Sequence, residues 1–203
     1  MSEAIEETIR KGDWLLTYSG VRFWPLDPRP EEILIRDIAH SLSQLCRFTG
    51  HTNQFYSVAQ HCCYVSRFCP PEDALWGLLH DASEAYLIDL PPPLKHHSLL
   101  GVHYREAEKE VMRAVCERFG LPVEMPDSVR EADEILLAAE GVQLMNADLE
   151  EWGLGRLRAD SEGIFIKPWS PSGAQAEFLW QLKKLLRPAM WGFHQSEVPY
   201  ESI

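Results

Sequence analysis

No stretch of this chain approaches the run of about 18 apolar residues that a membrane-crossing helix needs, and its start, MSEAIEETIRKGDW, is charged where a secretory leader is apolar. A soluble, cytoplasmic protein with no membrane partner is the expectation. Positive charge is also scarce: 19 Lys and Arg stand against 31 Asp and Glu, for a net charge of −12. Such a surface repels a polyanion, which argues against extended nucleic-acid binding and leaves room only for a small anion in a locally positive pocket. Thiolate chemistry lacks its usual pattern. The cysteines (Cys46, Cys62, Cys63, Cys69, Cys116) are odd in number, contain no C-x-x-C pair and include neighbours that rarely bridge each other. They read as reduced core residues rather than zinc ligands. No internal repeat or low-complexity linker divides the 203 residues, and 45% hydrophobic with 25% charged residues suits a single domain over 1–203 with one buried core.

What is present is mostly helical periodicity. Residues 14–24, WLLTYSGVRFW, alternate around Ser19-Gly20 and predict a short hairpin, stopped by Pro25, Pro28 and Pro30. Apolar residues at helical spacing then predict helices over 31–44, 53–68 (stripe Phe55, Val58, Ala59, Cys62, Val65, Phe68) and 71–87 (Ala74, Leu75, Leu78, Leu79, Ala82, Tyr86). Pro91-Pro92-Pro93 ends that region. A fourth helix is expected over 103–119 with Gly120 just past its end, and a fifth from Ser128, where Ser128 and Glu131 fit a capping box, through Ile135, Leu136, Ala139, Val142 and Met145. Beyond Asn146 the pattern weakens; GIFIKPW reads as a short strand before a last helix over 173–186.

Inside those helices sit residues that do not belong in an apolar core. His61 alone is more simply a hydrogen-bonded core histidine. The adjacent pair His80-Asp81 within ALWGLLHDASEAYL, and Asp133 within the apolar frame A-x-x-I-L-L-A-A, add further polar groups that are costly to bury without partners. One divalent metal held between helices accounts for all of them together.

The pattern His61, His80-Asp81, Asp133 resembles the HD-domain metal-dependent phosphohydrolases, and LLHDASEAYLIDLPPPLK looks like the helix-and-loop segment of the bacterial 5′-deoxynucleotidases and phage deoxynucleotide phosphohydrolases of that superfamily. The likeness covers about residues 44–145, leaving 146–203 as a C-terminal extension, and the segments VRFWPLDP and CRFTGHTNQFYSVAQH look like phage- and plasmid-borne members. The resemblance implies an all-α helical bundle of the HD-domain kind, here with a small N-terminal β-hairpin. It implies that His61, His80, Asp81 and Asp133 hold one divalent ion (Mn, Co, Fe, Zn, Ni or Mg) and that Glu84 and Asp89 are the carboxylates near the attacking water. Glu84 follows His80 by four residues, one helical turn on the same face. Ile88 stands where the deoxynucleotidase motif has glycine, so the path of the loop carrying Asp89 is open.

By the same resemblance, Arg47 and Phe48 match the Arg-aromatic pair that precedes the first histidine in the deoxynucleotidases, and Lys95 matches a lysine that approaches the phosphate. An exposed Arg, a core Phe and a solvated Lys are the plain alternatives. The expected activity is release of phosphate from 2′-deoxynucleoside 5′-monophosphates. The rival reactions are triphosphohydrolysis of deoxynucleoside triphosphates, drawing on Arg105, Lys109 or Arg113, and a metal-bound nucleotide sensor without turnover. A homodimer is implied by the resemblance alone. The aromatic tail PAMWGFHQSEVPYESI could close over a pocket or mediate self-association.

Overall fold

The computed structural model describes residues 10–186. It is mostly helical, with a small antiparallel hairpin near the N-terminus in which β1 (Leu15–Leu16) pairs with β2 (Arg22–Phe23) in the register Leu15 to Phe23 and Leu16 to Arg22. Thr17 and Gly20 close the turn, Gly20 at a φ of 81° that suits a residue without Cβ. Phe23 is fully buried and stacks on Tyr86, which anchors the hairpin to the helices.

The helices are α1 (Ile35–Gln44), α2 (Val58–Phe68), α3 (Ala74–Leu79), α4 (Glu84–Leu87), α5 (Pro92–His97), α6 (Leu99–Phe119), α7 (Asp127–Met145), α8 (Arg158–Ser161) and α9 (Pro171–Leu186). α2 is central, touching α1, α3, α7 and α9. Its start is fixed by Ser57, whose hydroxyl accepts the Gln60 N–H, and Ser98 does the same for α6 through Gly101. α6 ends at Gly120 with φ 67°, and α7 ends at Asn146 with φ 53°, the left-handed conformation that stops a helix. The main core joins Phe23, Ile38, Leu42, Val58, Cys62, Leu78, Leu79, Val111, Val115 and Phe178. A second cluster around Tyr56, Val65, Trp76, Val129 and Leu136 continues it beneath α7.

The cysteines are unpaired; Cys46 is exposed and the others are buried. Burial pushes the Cys62 and Cys69 thiols up to about 11, which makes them inert packing groups. No described helix is long and apolar enough to cross a membrane.

Several sequence expectations need correction. The helix expected over 31–44 is interrupted: Pro30–Glu32 form a 3₁₀ turn, and Ile33 and Leu34 are extended, which turns Ile33 fully into the core before α1 begins. The helix expected over 71–87 is broken between Leu79 and Glu84. The helix expected over 53–68 begins only at Val58, so Phe55, expected inward, lies exposed in the chain before it; Phe68 at the end of α2 and Val142 on α7 are exposed as well. Ser128 does not cap α7, which starts one residue earlier; its hydroxyl donates to Asp73 instead. GIFIKPW forms no strand and runs as irregular chain, with Ile166 N–H and the Lys167 carbonyl bonded to the side chains of Gln143 and Gln60. The aromatic segment 188–203 lies outside the described residues.

Candidate metal centre

The break after α3 shapes the site. Between α3 and α4 the backbone closes on i to i+3 bonds, Ala82 to Leu79 and Glu84 to Asp81, before the i to i+4 bonds Leu87 to Ser83 and Ile88 to Glu84 at α4. Glu84 opens α4, and its N–H bonds the Asp81 carbonyl. His80 and Asp81 sit at the start of this tightened turn, facing His61 on α2.

One ligand atom each of His61, His80 and Asp81 lies within 4.8 Å of the others, so the group could hold a metal ion. The separations are 3.2 Å between the two Nε2 atoms, 3.2 Å from His80 Nε2 to Asp81 Oδ2 and 3.7 Å from His61 Nε2 to Asp81 Oδ2. Asp133, from the second turn of α7, joins with Oδ1 at 3.0 Å from His61 Nε2 and 4.0 Å from His80 Nε2. The histidines are buried, whereas Asp133 keeps 40% of its side chain exposed and forms the solvent side of the cluster.

Both imidazoles are held from behind. His80 Nδ1 donates to the Gly77 carbonyl at 2.8 Å and His61 Nδ1 to Glu140 Oε1 at 2.8 Å. A carbonyl and a carboxylate only accept, so Nδ1 of each ring carries a proton and Nε2 is the nitrogen turned into the cluster. Two imidazole Nε2 atoms 3.2 Å apart, flanked by two carboxylates, form a group that calls for positive charge between them, whether protons or a cation. His₂Asp₂ is a borderline-hard set suited to divalent transition ions, so the residues fit the group that the sequence implies.

The electrostatics agree. Burial works against a charged His80, but Asp81 outweighs it and the imidazole pKa lies well above the ordinary value. For His61, burial and Arg47 oppose Glu140 and Asp133, with a net upward shift. Burial would raise both aspartates, yet His80 and then His61 and Arg47 hold Asp81 far below the carboxylate range, and His61 lowers Asp133 to about 2. Glu84 goes the other way: burial first, then the charges of Asp81 and Asp89, push it well above its usual value. Its Oε2 is buried without a hydrogen-bond partner among the described residues.

The remaining sequence-derived candidates gather around this centre to different degrees. Arg47 is mostly committed to the protein, with Nε 3.1 Å from Glu140 Oε2 and a terminal nitrogen 3.6 Å from Asp81 Oδ2. Asp89 follows α4; burial raises its pKa, Arg47 lowers it and Asp81 raises it, so it shares the same field. The residue before it, Ile88, keeps φ 77° and ψ 159°, a conformation that belongs to glycine, and Tyr104 donates a hydrogen bond to its carbonyl. Lys95 on α5 is tethered to Glu108 at 2.6 Å. Phe48 stands at the rim, in a left-handed turn with Thr49 (φ 54° and 53°), its ring under the Arg47 guanidinium at 5.3 Å and 6.1 Å from the Trp152 ring.

Sequence reasoning missed Glu140 and Tyr56. Glu140 is fully buried on α7, and Tyr56, also fully buried, donates to its Oε1 at 2.7 Å. A signal for Glu140 exists: it follows Asp133 by two helical turns, on the same face, within LLAAEGV. Tyr56 carries no comparable mark.

No known family model matches this chain. It is 38% identical over 166 residues to the uncharacterised protein YfdR of Escherichia coli K12, covering 82% of this chain and 92% of that protein. It is also 38% identical over 168 residues to the uncharacterised protein RCAP_rcc00048 of Rhodobacter capsulatus, covering 78% of this chain and 82% of that protein. Identity at this level over most of both chains makes this protein a member of the YfdR family.

Proposed function

We propose that the chain is a metal-dependent phosphohydrolase of the HD-domain superfamily that releases orthophosphate from 2′-deoxynucleoside 5′-monophosphates. The observation that carries this reading is the convergence of His61, His80, Asp81 and Asp133, with both Nδ1 atoms tied back so that both Nε2 atoms meet the carboxylates. A divalent cation of the Mn, Co, Fe, Zn, Ni or Mg kind, when bound, polarises a phosphoryl oxygen and lowers the pKa of a water.

The chain's own residues supply the rest. Glu84 has a buried oxygen with no partner among the described residues, and its carboxylate form, which the charge of a bound cation would favour against burial and Asp81, would take up a proton from the attacking water. Asp89 assists from the loop after α4. Arg47, although paired with Glu140 and Asp81, keeps guanidinium N–H groups for a phosphate oxygen, and Lys95, within the field of Glu84 and Asp81, offsets charge that develops on the phosphoryl group. Phe48 at the rim offers a ring face to a base or sugar.

The monophosphate reading is favoured over the triphosphate one by where the nearby cations are spent. Arg105 donates to the Lys95 carbonyl and Arg113 pairs with Glu110 on the surface, so neither extends the positive charge a triphosphate needs. The buried, unpartnered Glu84 carboxyl favours an enzyme over a sensor that binds without turnover. Free cysteines suit a cytoplasmic setting, and the net charge of −12 a small nucleotide rather than extended nucleic acid. The homodimer remains part of the reading by resemblance.

The test is identification of the phosphorus-containing product when untagged protein with Mn²⁺ or Co²⁺ meets deoxynucleoside mono- and triphosphates. Orthophosphate from the monophosphates is expected; tripolyphosphate from triphosphates would replace this reading with the rival.

A further inference from the structure

Neither the ligand set nor the catalytic carboxylates account for Glu140. It has no exposure, and a buried carboxylate is costly unless it is paired and hydrogen-bonded. Here both oxygens are used: Oε1 accepts from His61 Nδ1 at 2.8 Å and from the Tyr56 hydroxyl at 2.7 Å, while Oε2 accepts from Arg47 Nε at 3.1 Å. We propose that Glu140 is the positioning residue of the cation site, fixing the His61 tautomer and ring plane so that Nε2 meets the cation, and setting the charge of the site through Arg47. This inference rests on the reading of the cluster as a cation site.

The first part follows from the hydrogen bond. His80 is oriented by a neutral carbonyl, that of Gly77, whereas His61 is oriented by an anion. A carboxylate behind the ring makes the opposite nitrogen a stronger donor, and such outer partners are worth about 10- to 100-fold in metal affinity. Tyr56 stops the carboxylate from rotating away, since one oxygen holds two donors in fixed directions.

The second part follows from the charges. Arg47 stands between the two carboxylates, with Nε 3.1 Å from Glu140 Oε2 and a terminal nitrogen 3.6 Å from Asp81 Oδ2. Removing the Glu140 charge leaves Arg47 to act on Asp81 alone, drawing a ligand away from the cation.

The experiment measures Co²⁺ binding to chelator-stripped full-length protein by calorimetry, together with the visible absorption of the bound Co²⁺, for the wild type, Glu140→Gln and Glu140→Ala. Gln keeps an acceptor for His61 but loses the charge, and its amide opposes Arg47. The expected result is Co²⁺ affinity weaker by about 10- to 100-fold with an altered absorption band, in variants whose far-UV circular dichroism matches the wild type. If Glu140→Ala does not fold, Glu140→Gln carries the test alone. A folded variant with wild-type affinity and spectrum would overturn the role of Glu140 and leave the cation site standing. A wild-type protein that binds no Co²⁺ would overturn the cation site and this role with it.

Discussion

His61 and Arg47 show how much of this site depends on groups behind the ones that face the cleft. Arg47 is nearly buried and holds Glu140 and Asp81 together. Its loss would strand a fully buried carboxylate, and breaking a buried pair from one side costs about 3–5 kcal/mol. Arg47→Ala is therefore expected to lower stability on that scale in urea unfolding; a change under 1 kcal/mol would mean the pair carries little. Glu84 differs, because one of its oxygens has no partner to lose. Glu84→Ala should retain the metal in elemental analysis while turnover falls by about 10²-fold or more, the scale of general acid–base assistance. Near wild-type turnover would remove Glu84 from the mechanism.

Among elements, the turn from Leu79 to Glu84 and the contact of α3 with α2 decide the geometry. A Cβ on Gly77 would meet Cys69 Sγ at 2.7 Å and the Ser66 backbone at 3.1 Å, so glycine there allows α3 to approach α2 closely enough for His80 to face His61. Gly77→Ala should destabilise by about 1–3 kcal/mol in thermal unfolding, as overpacking does, and weaken metal binding as well. At Ile88 the sign reverses. The side chain is largely exposed and its backbone adopts a glycine conformation that costs on the order of 1–3 kcal/mol, more than the extra entropy glycine brings to the unfolded chain. Ile88→Gly should raise the unfolding midpoint; a lower midpoint would show that the loop is not strained.

These elements also mark what the sequence could reveal. Helical spacing exposed α2, α6 and α7 because each buries a long regular stripe, and His61 on α2, Asp133 on α7 and the His80-Asp81 pair just after α3 stood out as polar residues within apolar segments. The break at His80 was hidden because ALWGLLHDASEAYL contains no Pro and its one Gly lies before the break; tertiary contacts, not local propensity, tighten that turn. The glycine conformation at Ile88 left a trace, since the resemblance already expected glycine there.

For the whole molecule, α9 carries residues of the C-terminal extension into the main core, where Ala174, Phe178 and Leu182 are buried against α1 and α2. The extension is thus part of what holds α2, and with it His61, in position. A cation bound only by the folded chain adds stability by mass action, about 2.7 kcal/mol at a hundredfold excess over the dissociation constant.

The most direct measurement is the metal content of untagged wild-type protein and of Asp81→Asn by elemental analysis, paired with thermal unfolding with and without chelator. The account predicts about one divalent ion per wild-type chain, a lower unfolding temperature in chelator, and loss of both effects in Asp81→Asn. A wild-type protein with no bound ion and no response to chelator would contradict it.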